Sequence, residues 1–167
     1  GHVRDARRER LLISFPGMRI ALGADHAGVA LKHDITRLLT ARGLACTDVG
    51  TMTADPVDYP VFAARVAEAV ASGACDRGIL ICGTGIGMAI AANKVSGIRA
   101  AAAYDETTAR LCRAHNDANV LTLGARLTDA ATAARLVDIF LATPFDAGRH
   151  ARRVAMIAAM TCAAALT

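Results

Sequence analysis

Two rhythms of apolar residues alternate along this chain. Short, nearly continuous apolar runs at 19–23, 44–49, 78–82, 98–103 and 120–123 read as strands. Between them, 29–41, 59–71, 86–94, 106–114 and 129–141 carry apolar residues at helical spacing; Val29, Ile35, Leu38 and Leu39 mark that face in the first. Gly43 and Gly73 are stop signals, and Pro60 suits a first helical turn. The segment 144–148 breaks the chain, and a last helix runs from about Arg149 toward the C-terminus. Strand–helix alternation with apolar strands predicts a parallel sheet buried on both faces. Right-handed crossovers then give an α/β fold: a Rossmann-like three-layer αβα sandwich with a five-stranded parallel sheet and a C-terminal helix.

The 167 residues suit one domain, placed at 18–167. Residues 1–17 read as a flexible N-terminal extension, because Met18 opens the strand pattern at once; a short amphipathic helix in its Arg-rich run is the alternative. A composition 54% hydrophobic, without Trp and rich in Ala, suits helices set closely on a buried sheet and excludes disorder. No apolar stretch is long enough to span a membrane; 154–166 is too short and is punctuated by Thr and Cys. The N-terminus lacks the apolar core of a secretory signal.

The net charge of +4 is mild, and residues 1–17 supply part of it through Arg4, Arg7, Arg8 and Arg10 against Asp5 and Glu9. With no basic stripe carrying interleaved aromatics, neither nucleic acid nor a membrane is an expected partner. The cysteines, Cys46, Cys75, Cys82, Cys112 and Cys162, are odd in number, scattered and without a C-x-x-C. They predict no disulfide framework and no metal site, and a reducing cytoplasm is the expected location.

In doubly wound folds, ligands bind beyond the carboxyl ends of the strands. Asp25 and His26, Cys82 to Gly87, and Tyr104 with Asp105 should therefore face one another. Cys82 ends the third strand, and Gly83-Thr84-Gly85-Ile86-Gly87 opens a helix. This G-x-G-x-G is neither the dinucleotide fingerprint nor a Walker loop. It permits a tight turn and close backbone approach to an anion, or serves packing alone. A cysteine there is a small core residue or a base for a proton on carbon beside a carbonyl. Asp25 is either a ligand-edge acid or a helix N-cap.

Arg113-Ala114-His115-Asn116-Asp117 lies between a helix and a strand, and a helix cap with a turn would explain it alone. Arg126 follows the fifth strand. Arg149, His150, Arg152 and Arg153 open the last helix, where cations oppose the helix dipole. Arginine forks at that place fit a phosphate; a solvated basic face is the plain reading.

Taken in order, several segments resemble the ribose-5-phosphate isomerase B family, within the RpiB/LacAB sugar-phosphate isomerases. They are Gly23-Ala24-Asp25-His26-Ala27-Gly28, Asp58-Tyr59-Pro60, Ile81-Cys82-Gly83-Thr84-Gly85-Ile86-Gly87, Ala91-Ala92-Asn93-Lys94, Gly97-Ile98-Arg99-Ala100, His115-Asn116-Asp117-Ala118-Asn119 and Gly148-Arg149-His150. The resemblance covers the chain from Met18 to about Met160. It implies a cofactor-free, metal-free aldose–ketose isomerase that interconverts D-ribose 5-phosphate and D-ribulose 5-phosphate through a cis-enediol. By resemblance, Cys82 is the base and His115 the ring-opening acid, with Asp25 and Thr84 assisting. The amides of Gly83, Gly85, Ile86 and Gly87 would stabilise enediolate oxygens. Arg149 and Arg153, with His26 and Arg126, would hold the phosphate, while Asn116 and Tyr59 border the sugar. The family's site is shared across a homodimer, with the His-Asn segment and the Arg126 equivalent from the partner chain; a tetramer could be built from such dimers.

Three rivals stand beside this reading. A relative could act on allose 6-phosphate, galactose 6-phosphate or a tetrose phosphate, a choice set by pocket width at Tyr59 and the loop 51–57. A nucleotide-binding module could use Asp105, about twenty residues past the glycine loop, as a ribose-binding acid. A catalytically silent subunit is the third, opposed by the presence of Cys82 and His115.

Overall fold

In the computed structural model, which describes residues 15–160, the first strand is β1 (Arg19–Ala24), followed by a one-turn 3-10 helix (His26–Gly28) and α1 (Val29–Ala41). Then come β2 (Ala45–Asp48), α2 (Tyr59–Ala71), β3 (Arg77–Cys82), α3 (Ile86–Ala92) and β4 (Ala100–Ala102). The chain continues through α4 (Glu106–Ala114), β5 (Val120–Gly124), α5 (Ala130–Ala142) and α6 (Arg149–Ala159). The proposed N-terminal extension falls almost wholly outside the described residues.

The strands form one parallel sheet in the order β2-β1-β3-β5-β4. The three central strands are buried apart from Arg19 and Arg77 at their starts, so near-continuous apolar sequence was required there. Against one face, Leu31, Ile35 and Leu39 of α1 and Leu136, Val137 and Phe140 of α5 meet Ile20, Leu22, Ile79, Ile81, Leu121 and Leu123. Against the other, Phe62, Val66 and Val70 of α2 and Met88 of α3 cover Ala21, Leu80 and Val120. Each fully buried aliphatic side chain contributes roughly 1.5–3 kcal/mol of transfer free energy. The three-layer αβα reading is therefore correct.

At the fourth strand and the third helix the bounds move from expectation for local reasons. The strand expected over 98–103 shrinks to Ala100–Ala102, because the Ile98 amide closes a turn on Val95 O. The Asn93 side chain also accepts from Ala100 N at 2.7 Å and donates to Ala100 O at 2.9 Å. The same asparagine ends α3 at Ala92, two residues before the expected Lys94.

The strand order reverses between β1 and β3: the chain moves outward from β1 to β2, then crosses to the other side. This switch point is where an open α/β sheet leaves a crevice. Asp25, just after β1, and Cys82, the last residue of β3, therefore flank it. Parallel topology also sends the C-terminus of each helix back to the amino end of the sheet. The segment after α4 and the loop after α5 lie there, joined by Asp146 N donating to Ala114 O at 3.0 Å. Alone among the described α-helices, α6 buries no residue, and Met156 and Ile157 on it, with Met160 just past its end, are exposed.

Candidate active site

Cys82 is the last residue of β3 and is buried. Its sulfur accepts a hydrogen bond from Gly85 N at 3.1 Å. That contact needs the chain to fold back within three residues, and Gly85 does so with a left-handed φ of 81°. A β-carbon at Gly85 would stand 3.0 Å from the Leu123 carbonyl carbon, so the loop lies directly on β5. Thr122 donates its hydroxyl to Gly85 O at 2.7 Å, fixing the peptide from the other side. Because α3 has only seven residues, the loop amides, rather than a long helix dipole, are the polar groups at the sulfur. Thr84 Oγ1 accepts from Ile86 N at 3.3 Å, which leaves the hydroxyl hydrogen to donate elsewhere.

The groups expected around this loop are largely present. Asp25 donates its amide to Ile81 O at 3.0 Å, bringing the ends of β1 and β3 together. Its Oδ1 accepts from Ala27 N at 2.9 Å and Gly28 N at 3.2 Å. The N-cap reading of Asp25 is thus realised, and both cap bonds fall on one oxygen. His26 Nδ1 accepts from Val57 N at 3.2 Å, so its neutral ring carries hydrogen on Nε2, a donor for an anion. Tyr59 lies across the start of α3: a β-carbon at Gly87 would come within 2.6 Å of its Cζ. Tyr104 donates its phenol to Thr84 O at 3.0 Å.

Two expectations need correction here. The resemblance brings Arg126 from a partner chain, but its guanidinium lies beside Gly83 of its own chain, where a β-carbon would stand 3.0 Å from Nη1. Its amide also donates to Gly83 O at 3.0 Å. Asp105, the candidate ribose acid, caps α4 in a box with Thr108, whose amide donates to Oδ1 at 2.7 Å. Those Thr108 bonds hold the carboxyl below the usual carboxylate range.

Sequence reasoning missed Lys32, which looks like an ordinary helix-surface lysine in Ala30-Leu31-Lys32-His33. It is fully buried. Its Nζ donates to Asp48 Oδ1 at 2.9 Å and to the Thr51 carbonyl. Asp48 Oδ1 also accepts from Gly50 N at 2.9 Å. This ion pair pins the start of the loop whose far end bonds His26 through Val57.

The second set of residues lies at the amino end of the sheet. His115 is the C-cap of α4, as the plain reading had it. Its ring stacks on His150, with centroids 4.1 Å apart and planes within 11°. The neighbouring Asp117 takes a left-handed φ of 48° and is held by Arg113 Nη1 at 2.7 Å and Arg99 Nη2 at 3.3 Å. Arg113, itself buried, also donates to Ala118 O at 2.6 Å and Thr143 O at 3.3 Å. It thereby ties the His115-Asn116 turn to the chain leading into α6. Arg149, Arg152, Arg153 and Met156 are exposed along one face of α6. Burial, then His115, Arg149 and Arg153 nearby, push His150 below the ordinary histidine range, against the pull of Asp146. A separate cavity of about 550 Å³ lies between the α3–β4 connection and the end of α6, away from Cys82.

Cys82 and His115 are thus far apart in one chain. The five residues of β5 separate the ends of the sheet, a rise of roughly 13 Å before either loop is counted.

A thiol held by a loop amide at a topological switch point, with Asp25 at the end of the neighbouring strand and Tyr59 and Tyr104 against the glycine loop, defines an α/β enzyme built for a small anionic ligand. Comparison narrows the class. The family model described as Ribose/Galactose Isomerase matches residues 20–157, and the chain belongs to that family of isomerases. Ribose-5-phosphate isomerase B of Escherichia coli is 47% identical over 142 residues, covering 85% of this chain and 95% of that protein. Among solved structures, ribose-5-phosphate isomerase B of Clostridium thermocellum is 52% identical with a TM-score of 0.84, covering 84% of this chain and 95% of the other. The Mycoplasma genitalium enzyme with bound ribulose-5-phosphate is 41% identical with a TM-score of 0.82, covering 85% and 95%.

Proposed function

We propose that this chain interconverts D-ribose 5-phosphate and D-ribulose 5-phosphate. The observation that carries the reading is the Cys82 sulfur at the switch point with the Gly85 amide directed at it. In the aldose-to-ketose direction, the Cys82 thiolate takes the proton from C2. The electron pair moves into a C1–C2 double bond, giving a cis-enediol(ate) in which O1 takes up a proton and O2 gives one up, and the same sulfur returns its proton to C1 as the C2–O2 double bond forms. The amides of Gly83 and Gly87, which neither the sulfur nor Thr84 Oγ1 takes up, and the Thr84 hydroxyl stabilise the oxygen that gains charge. His115 donates a proton to the furanose ring oxygen as the ring opens, with Asp25 accepting from a sugar hydroxyl. Arg149 and Arg153, with His26 and Arg126, hold the phosphate, and Asn116 and Tyr59 bound the sugar. Oxidation state is conserved over the molecule, so the step itself consumes no redox equivalent.

We infer further that two copies share each site. Cys82 and His115 occupy opposite ends of the sheet, and a two-fold pair of antiparallel chains brings one of each together at two sites. The second copy also provides cover for α6, since an eleven-residue helix that buries nothing is marginal by itself. Arg126, lying on its own Gly83, then approaches the phosphate from the thiol side. A reducing cytoplasm suits the four described cysteines, all of which are free thiols. Among the described residues no helix is long and apolar enough to cross a membrane.

The test is ribulose 5-phosphate formation from ribose 5-phosphate with EDTA present, for the parent and Cys82→Ala. Turnover lost only in the variant supports the thiol base; equal turnover in both removes it. The family's description also names galactose, so the same assay with galactose 6-phosphate and allose 6-phosphate tests the second reading.

A further inference from the structure

His115, Asp146 and His150 come from three separate places, the end of α4, the loop after α5 and the first turn of α6. Yet one ligating atom of each lies within 4.8 Å of the others. The backbone brings them together: Asp146 N bonds Ala114 O, the residue before His115, and His150 N bonds Ala147 O at 2.9 Å. Ala147 and Gly148 both have positive φ, which folds the loop back so that Asp146 and His150 face the same spot. Arg113 holds both sides of the arrangement through Asp117 and Thr143.

We propose that this trio is a binding site for zinc(II), and that an ion there inhibits the enzyme by occupying the nitrogen that His115 uses for ring opening. The inhibitory half of the proposal rests on the role given to His115 above. Two imidazoles and one carboxylate are the ligand types that zinc prefers, and three protein ligands leave a coordination position open. Tetrahedral zinc with bonds of about 2.0–2.1 Å needs donor atoms roughly 3.3 Å apart. The present spacing therefore closes by a side-chain movement rather than by refolding. A metal lies in the plane of each imidazole it binds, so the stacked rings must turn apart. His150 can turn without disturbing the core, because its helix buries no residue. Arg149 and Arg153 oppose a cation, and the Asp146 carboxylate offsets them. The balance is that of a reversible inhibitory site rather than a permanent structural one.

The experiment titrates inorganic zinc into the full chain, freed of metal by a chelator, in a non-coordinating buffer with calorimetric detection. Isomerase turnover is followed over the same zinc range. One zinc per chain is expected, with Asp146→Asn and His150→Ala each weakening binding roughly ten-fold or more. Cobalt(II) in place of zinc gives a visible absorption band that the same variants remove. Cys82→Ser leaves binding unchanged, which separates this site from the thiol. No saturable binding, binding that survives both ligand variants, or binding lost in Cys82→Ser overturns the proposal. Zinc bound at these ligands without any fall in turnover upholds the site and overturns the role assigned to His115. In the supporting outcome, Asp146→Asn turns over ribose 5-phosphate at zinc levels that stop the parent.

Discussion

The hydroxyl of Thr122 on β5 donates to the carbonyl of Gly85 at 2.7 Å, while the amide of the same glycine donates to Cys82 Sγ. Thr122 is fully buried and touches the reacting centre only through that peptide. It is a positioning residue. Thr122→Val keeps the shape and removes the donor, leaving the Gly85 carbonyl with only the Ala89 amide at 3.1 Å. We expect a stability loss of about 0.5–1.5 kcal/mol and a fall in kcat with little change in KM. Thr122→Ser, which restores the donor, should recover the kcat. A Val variant with parental kcat would show that the loop holds its place without this bond.

The phosphate handle is remote from the reacting carbons, so its removal should read differently. Arg149→Ala and Arg153→Ala are each expected to raise KM for ribose 5-phosphate more than they lower kcat. Steady-state kinetics on each variant checks this. An unchanged KM in both would move the phosphate away from α6.

Shared sites make a prediction that single variants cannot. Cys82→Ala and His115→Ala should each be inactive alone. When equal amounts are mixed and allowed to exchange, half the dimers pair unlike chains and one of the two sites in each is intact, giving about a quarter of parental activity. Activity that stays at zero after verified exchange would place Cys82 and His115 in the same chain's site.

Lys32→Met removes a fully buried ammonium and leaves Asp48 without its cation. Urea denaturation should show a loss of about 1.5–3 kcal/mol, since hydrogen bonds to charged groups contribute that much. The double variant with Asp48→Asn should recover part of it, because no charge is then left unpaired. The freed loop at Thr51 should also change the ratio of kcat/KM between ribose 5-phosphate and allose 6-phosphate. A parental ratio would mean that Tyr59 alone sets the sugar boundary.

Burial pushes the Cys46 and Cys112 thiols up to about 11. At pH 8 both stay protonated, and the thiolate is the reactive form. Iodoacetamide at pH 8 followed by peptide mapping should therefore leave these two unmodified in the native chain. Their reactivity should rise only as pH approaches 11 or as urea unfolds the domain. Labelling of Cys46 at the rate of a free peptide cysteine would contradict its burial.

The central strands were plain in the sequence because a parallel strand covered on both faces admits a polar side chain only where it finds a partner, as Thr122 does, and is otherwise apolar, as in Gly78-Ile79-Leu80-Ile81-Cys82. The edge was less plain. Apolar character continues through 98–103, but the Asn93 side chain pairs with the Ala100 backbone and a turn takes up Ile98. Such side chain–backbone competition depends on a residue seven positions away, outside any periodicity. Cys82 could be singled out because its strand ends in a glycine-rich turn, a local signal. Lys32 could not, since Asp48 and Thr51 reach it only once β2 lies beside β1.

What the sequence determined by itself was the alternation of elements, the parallel sheet, and the kinds of group at the ends of the strands. Each of these follows from period, composition and neighbouring residues. The tertiary structure decided which groups meet. It set Arg126 on Gly83 of its own chain, spent Asp105 on a helix cap, and gathered His115, Asp146 and His150 into one cluster. It also put Cys82 and His115 at opposite ends of the sheet. The physical reason is that a helix in a parallel crossover must run back against its strands, so residues at a strand's end and at a helix's end are separated by the full depth of the sheet.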